Sequence, residues 1–528
     1  MSCDGDIVGK ITTGYQGWFT CEGDGSPIGG WWHWAPDRLK NCCCHNKGFI
    51  SWPAMSYYPK KYDTGFQPYP NGEKSQLFSS YDPCTIDVHF DMMAYAGIDT
   101  AAFQRFKPYP DGEGPVRNAI TPHVADAADR HGVKWYCMWD VGGWTGMKDE
   151  IPADWTNIMG AYANRPMYAR QDGKPVVAIW GFGFPDDGHA WPPEECISVI
   201  RWLQAQGLYV IGGVPTNWRE GVSDSRPGYD EVYYAFDMIS PWMVGRTGET
   251  RGLDQFFVSH NAPDAQALGA RGVDYQPCVM PGDLSQGARR HGDFYWRHIY
   301  NTCRVRDLNA TRVGIYVSMF DEYNEGNQIA PTAESRAQQP ADFDYRALDE
   351  DGVQCTADYY LRLTRDGGDM FKRRAPLQAL RWTEPWPGKG PMNLNRPVAL
   401  RALVNGKLVC AESGGDRPLV SNRDTIGGWE SFFMEYPDAE QKTVRFKACN
   451  GKYVCADMGV PNQPNGILIP NRERAGTYET FEVFQMKDGI ALKAHNGKFV
   501  QATEGGNGKL VACADQPGWW ETFDIVEN

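Results

Sequence analysis

The sequence has no run of about 18 apolar residues, so it encodes no membrane-spanning helix. It has no C-x-x-C pair, which removes support for a zinc ribbon. No Gly-rich phosphate fingerprint follows any apolar run, which weakens a nucleotide-binding open sheet. Positive charge is also short. Lys plus Arg is 52 against 66 Asp plus Glu, a net charge of -14. Such a chain has no general attraction to phosphate backbones, so nucleic acid is not an expected partner. The segment MSCDGDIVGK lacks the charged-then-apolar pattern of a secretory signal. With 42% hydrophobic and 22% charged residues, a disordered or collagen-like chain is excluded.

What the sequence has is length and aromatic content. Its 528 residues allow one large barrel plus a smaller module. There are 20 Trp, which serve either as core residues or as sugar-stacking faces. The 15 Cys include the run Cys42, Cys43, Cys44 followed by His45. Adjacent cysteines seldom satisfy tetrahedral geometry, so loop thiols or one local disulfide are expected there. His33, His89 and His291 are scattered. No metal and no cofactor are expected.

Up to about residue 375, apolar runs alternate with amphipathic segments. Eight strand candidates stand out: 7–18, 98–106, 133–141, 175–184, 208–215, 236–244, 275–280 and 312–320. Continuous runs such as KPVVAIWGF suit strands buried on both faces. CISVIRWLQAQG reads as a helix closed by Gly207. Eight such units predict a (β/α)8 barrel over residues 1–380. Polar and aromatic residues cluster just after the strands: Tyr15, Gln16 and Trp18; Arg105; Asp140; Trp180; Trp242 and Arg246; Glu322 and Glu325. In a barrel these positions converge on the C-terminal mouth.

The Pro- and Gly-rich stretch 381–395 reads as a linker. Beyond it, over 396–528, Asn-Gly pairs recur at Asn405, Asn450 and Asn496, at offsets of 45 and 46. Each copy later carries an aromatic-Glu-x-Phe element, beginning at Trp429, Tyr478 and Trp520. Asn-Gly between alternating apolar residues is a hairpin signal, and three copies predict a β-trefoil. The pattern resembles fascin-like trefoil domains.

The string SMFDEYNEGNQI follows the last strand candidate and holds Asp321, Glu322 and Glu325. Paired carboxylates are what glycoside hydrolysis needs, one as proton donor and one as base or nucleophile. Alone, the string equally suits a solvated loop or a helix cap. Five further strings add context: VGKITTGYQGWFTCEGDGSPIGGWWHW, KPVVAIWGFGF, DMISPWMVGR, PGDLSQGARRHGDFYWRHIYN and YYLRLTRDGGDMFK. They resemble catalytic domains related to glycoside hydrolase families 71 and 99. The nearest group is the bacterial 71/99-like proteins often described as xylosidases or arabinosidases. The resemblance runs over most of residues 7–375.

It implies a barrel with two carboxylates after the last strand, at Glu322 and Glu325. In family 99 the first deprotonates the sugar's own 2-hydroxyl and the second is general acid, then base, with retention of configuration. DEYNEG departs from the family's NEWHEG by placing Asp321 where Asn is expected. That third carboxylate is expected to bind a cation or shift a neighbour's pKa. An apolar wall is expected from Trp180, Trp242 and Tyr323. Tyr15, Gln16 and Trp18 line a sugar subsite or form a structural turn. Asp140 stands where the family has a sugar-binding acid. Arg105 and Arg246 bind hydroxyls or orient the carboxylates. Trp31, Trp32 and Trp34 form a stacking platform, a lid or core.

The leading reading is a monomeric glycosidase acting on a polysaccharide or complex glycan, with the trefoil as a carbohydrate-binding module. An extracellular or cell-surface location goes with it. A non-catalytic glycan-binding protein and an actin-binding protein are the alternatives.

Overall fold

A computed structural model describes every residue except 1–4, 108–112, 285–286, 387–396, 436, 438–441, 487–488 and 528. The chain divides into two compact units, Met1–Gly390 and Pro391–Asn528. Residues 387–395 of the expected linker lie outside the described residues. Its front end is held by the first unit. There Trp382 packs edge-on against Trp296 at 4.5 Å, and Arg362 donates to the Glu384 and Pro385 carbonyls.

The first unit is a closed parallel barrel. Its strands are β1 (Ile11–Tyr15), β2 (Thr100–Arg105), β3 (Lys134–Asp140), β4 (Lys174–Trp180), β5 (Tyr209–Val214), β6 (Met238–Pro241), β7 and β8 (Ile315–Val317). Each expected run overlaps one of them, β4 and β7 beginning one residue earlier than expected. β7 is split into Asp274–Tyr275 and Cys278–Val279, separated by Gln276 and Pro277. Proline cannot donate to a ladder, and the strand changes neighbour there. The first half pairs with β6 and the second with β8, while β8 pairs with β1. That switch closes the ring.

Helices follow the strands: α1 (Pro83–Tyr95), α2 (Glu113–His131), α3 (Met147–Asn157), α4 (Pro193–Ala205), the short α5 (Asp230–Tyr233), α6 (Thr250–Phe256, resumed as Ala262–Arg271), α7 (Asp293–Asp307) and α8 (Tyr359–Phe371). Gly207 ends α4 with φ +81°, a conformation that glycine adopts without Cβ strain.

The second unit is a β-trefoil with twelve strands in three sets of four. The first set is Pro397–Ala402, Leu408–Ala411, Leu419–Arg423 and Phe432–Glu435. The second is Thr443–Lys447, Tyr453–Asp457, Ile467–Arg472 and Phe481–Met486. The third is Gly489–Lys493, Phe499–Ala502, Leu510–Ala514 and Thr522–Glu527. In every set the first strand pairs with the fourth and the second with the third. Pairing of the first strand with the last, from Val398↔Glu527 to Ala402↔Phe523, closes the small barrel.

Its core takes equivalent apolar residues from each set, such as Phe432, Phe481 and Phe523. The repeated asparagines are structural. Asn405, Asn450 and Asn496 each accept from the backbone N–H two residues on, at 3.0 Å. Each also donates to a distant carbonyl, tying its hairpin to a neighbouring strand.

Candidate active site

The site is built where β8 runs out. Beyond Val317 the chain stays fastened to β1, with the Phe320 N–H bonded to the Gly14 carbonyl at 2.8 Å. Asp321 then spends both carboxylate oxygens on β1's exit. Oδ1 accepts the Gln16 N–H and Oδ2 the Gly17 N–H, each at 2.8 Å. Gly17 makes this possible with φ +56°, which turns two successive N–H groups toward one acceptor. Burial pushes the Asp321 carboxyl up to about 6, against the pull of the two amides and of Arg117. Asp321 is fully buried and acts as a backbone clamp. With both oxygens held by backbone amides it is not placed to bind a cation, while its charge does shift a neighbour's pKa, that of Glu322.

Glu322 comes next and is buried. Its Oε2 accepts the Gln16 side-chain N–H at 2.6 Å. Burial raises its pKa well above the ordinary range, and the negative charges of Glu325 and Asp321 add to the rise. The other Gln16 side-chain atom, Oε1, is buried without a partner. Glu325 instead opens onto solvent at a cleft of about 290 Å³, lined by Ile50, Val244, Met280, Asp283 and Asn327 among others. Partial burial and Asp283 raise its pKa, while Asn327, 3.3 Å away, holds it down.

The turn that follows the two carboxylates is fixed from behind. Arg289 is buried and donates to the Gly326 carbonyl at 2.8 Å and to the Gln328 carbonyl at 2.6 Å. Its guanidinium lies over the Tyr360 ring at 4.4 Å. On the opposite side, Arg117 of α2 donates to the Gln16 carbonyl and pairs with Glu113 at 3.3 Å. Neither arginine was singled out from sequence. For Arg117 the available signal was Glu113 four residues earlier, a same-face helical pair.

Of the residues expected to form an aromatic wall, Trp180 and Trp242 lie together. Trp180 meets Trp242 edge-on at 5.4 Å and Phe184 at 4.9 Å. Trp18 is stacked between His33 at 3.7 Å and Phe106 at 5.5 Å, so neighbouring rings occupy both its faces. Tyr323 does not join the wall. It is fully buried against Phe19, Trp34 and Phe78, and its hydroxyl donates to the Pro331 carbonyl at 3.0 Å.

Asp140 ends β3 and accepts the Gly142 N–H at 2.9 Å. Burial pushes it up to about 6. His189, unremarked in the sequence, lies on the same side of Gly142. A Cβ on Gly142 would stand 3.2 Å from Asp140 Oδ1 and 3.5 Å from His189 Nε2. That Nε2 is buried and unpartnered, while Nδ1 holds Asp186 at 2.7 Å.

Three further expectations change. Tyr15 is 0% exposed and faces α1, its hydroxyl 3.1 Å from His89 Nδ1. Burial lowers the pKa of His89 to about 3, so the ring is neutral. Arg105 is also 0% exposed and makes a two-pronged ion pair with Asp154 of α3 at 2.6 and 2.7 Å. Its hydrogen bonds to described residues go to Asp154 and Asn118, away from Glu322 and Glu325. Arg246 binds Thr216 Oγ1 at 2.7 Å and Asp224. Trp31 and Trp34 are core, while Trp32 donates to Glu113 at 3.0 Å.

Cys42 is buried, and the described cysteines are all free thiols. Among the described residues no group of three or more His, Cys, Asp or Glu is placed to hold a metal. No helix among them is long and apolar enough to cross a membrane.

The arrangement offers one carboxylate sequestered and hydrogen-bonded, and another open to the cleft. Their environments differ, which is how one site supplies both a base and an acid. No family model matches the chain. The glycoprotein endo-alpha-1,2-mannosidase of Mus musculus is 21% identical over 364 residues, covering 67% of this chain and 72% of that protein. Its Rattus norvegicus counterpart is 21% identical over 359 residues, covering 66% and 71%. The solved GH99 endo-alpha-mannosidase of Bacteroides thetaiotaomicron has the same barrel fold, with a TM-score of 0.51 and 18% identity. That likeness covers 70% of this chain and 100% of that one. The resemblance to family 99 therefore holds, and the chain is a glycoside hydrolase acting on glycans.

Proposed function

We propose that this glycosidase cuts within α-linked, mannose-containing glycans and retains anomeric configuration, with Glu322 as base and Glu325 as acid. The observation that carries the reading is the contrast between the two carboxylates: Glu322 buried on Gln16, Glu325 open to the cleft. Ionised Glu322 takes the proton of the 2-hydroxyl as that oxygen attacks C1. Glu325 protonates the departing glycosidic oxygen. The resulting 1,2-anhydro sugar is opened at C1 by water, whose proton passes to Glu325 while Glu322 returns a proton to O2. Two displacements at C1 leave the configuration retained. Asp140 and His189, which flank Gly142, supply hydrogen bonds to a sugar hydroxyl. The named groups all come from one chain, which suits a monomer.

The pH dependence follows from the pair. As pH falls, Glu322 gains a proton and the base is lost. As pH rises, Glu325 loses its proton and the acid is lost. Both pKa values are raised, that of Glu322 further than that of Glu325, so the reactive form with Glu322 ionised and Glu325 protonated is the minor tautomer of the singly protonated pair, and the kcat/KM profile is a bell centred above the ordinary carboxylate range. Glu325→Gln removes the alkaline limb. A variant profile that keeps that limb contradicts the assignment.

An extracellular or cell-surface location suits a polysaccharide substrate, but the thiols pull the other way, because oxidising compartments pair cysteines. The described cysteines number fourteen, so thiol titration in denaturant reads at least fourteen per chain. Without denaturant, Cys449 and Cys513 react first, being exposed. A denatured count well below fourteen contradicts the free-thiol structure.

A further inference from the structure

The three aromatic-Glu-x-Phe elements of the trefoil contain more than their turn requires. In each, the Glu side chain accepts a backbone N–H three residues earlier: Gly427 to Glu430 at 3.0 Å, Gly476 to Glu479 at 2.7 Å and Gly518 to Glu521 at 2.8 Å. The following Ser or Thr hydroxyl returns a bond to the same glycine's carbonyl. The Phe fills the core. The leading aromatic does neither. Trp429, Tyr478 and Trp520 stand 44%, 56% and 43% exposed. Three diverged copies thus keep a large, half-exposed ring at an outward position outside the core, Tyr478 also meeting His495 edge-on at 4.3 Å.

Two of the copies add a matching polar array. In the first, Asn422 donates to Glu412 at 2.8 Å, and Arg423 pairs with Glu412 at 3.0 Å while reaching Glu430 at 3.7 Å. In the second, Asn471 donates to Asp457 at 2.9 Å, and Arg472 pairs with Asp457 at 2.8 Å while reaching Glu479 at 3.8 Å. Both guanidiniums stay partly exposed. Asn471 Oδ1 is buried and unpartnered. The third copy has Thr503, Cys513 and Ala514 at these places, and Gln501 bonds Glu521 instead.

We propose that the trefoil carries two glycan-binding sites, on its first and second repeats, with Trp429 and Tyr478 as stacking platforms and the Asn-Arg-acid arrays as hydroxyl readers. Aromatic faces with a few fixed polar groups are the chemistry of pyranose recognition. The sites rest on the glycosidase reading, since the polymer they hold is the one the barrel cuts. Two weak sites on one module bind a repeating chain far more tightly than either alone.

The test uses the full-length protein and an α-mannan polysaccharide in affinity electrophoresis, with Glu325→Gln present to stop turnover. Trp429→Ala and Tyr478→Ala each weaken retention several-fold. The double variant loses it by about 10²-fold, as loss of avidity requires. Tyr478→Phe keeps retention, which separates a lost platform from a damaged fold. Trp520→Ala stays within about twofold of the parent. A double variant retained like the parent overturns the proposal, as does a parent that is not retained at all. Cleavage without retention overturns the sites but leaves the catalytic reading standing. Retention lost in the double variant, with no cleavage by the wild type, supports the sites and removes the catalytic reading.

Discussion

Glu325→Gln lowers kcat on the natural glycan by about 10²–10⁴-fold, the range set by loss of a positioned general acid. Glu325 opens onto the cleft and makes one weak contact, with Asn327 at 3.3 Å, so the substitution leaves the fold intact. The loss depends on the leaving group. A glycosidic oxygen of high basicity needs the proton, whereas a dinitrophenolate does not. An aryl glycoside with that leaving group therefore recovers most of the first-step rate in Glu325→Gln. It recovers little in Glu322→Gln, because the attack on C1 still lacks its base. Equal losses on both substrates in Glu325→Gln contradict the acid assignment.

Arg105→Ala destabilises the barrel by about 3–5 kcal/mol, the usual cost of removing one partner from a buried ion pair. Arg105 and Asp154 are both 0% exposed, and Trp139 also donates to Asp154 at 2.8 Å. Without the guanidinium the carboxylate is left charged in a space that water does not reach. Urea unfolding read from the barrel's transition gives the shift. Arg105→Lys falls between, because an ammonium cannot reproduce the two-pronged contact. Unchanged stability with a raised KM would place Arg105 in the cleft and contradict its position behind it.

These two residues show how far the sequence could be read. The eight barrel strands were legible because they are buried on both faces and most read as near-continuous apolar runs; β7, interrupted by Gln276 and Pro277, is the exception. The trefoil was legible because its turns need Asn-Gly at fixed spacing, and Asn405, Asn450 and Asn496 do the same job in each copy. The direction of side chains at strand ends was not legible. Neighbouring residues in a strand point to opposite sides. Gln16 reaches Glu322, while Tyr15 beside it faces His89 in the helix layer. Arg105 ends β2 at the mouth but turns toward α3. Asp321, one residue before Glu322, clamps β1 instead of meeting substrate. Arg289 and His189 escaped notice because their placement depends on distant segments, Arg289 through the Gly326 and Gln328 carbonyls and His189 through its position beside Gly142 and Asp140.

The most direct test of the central claim is proton NMR of the anomeric signals during cleavage of an α-linked manno-oligosaccharide, for wild type, Glu322→Gln and Glu325→Gln. The account predicts that the wild type releases the α-anomer first, with mutarotation following, and that both variants release almost none. First release of the β-anomer, or undiminished cleavage by either variant, would contradict it.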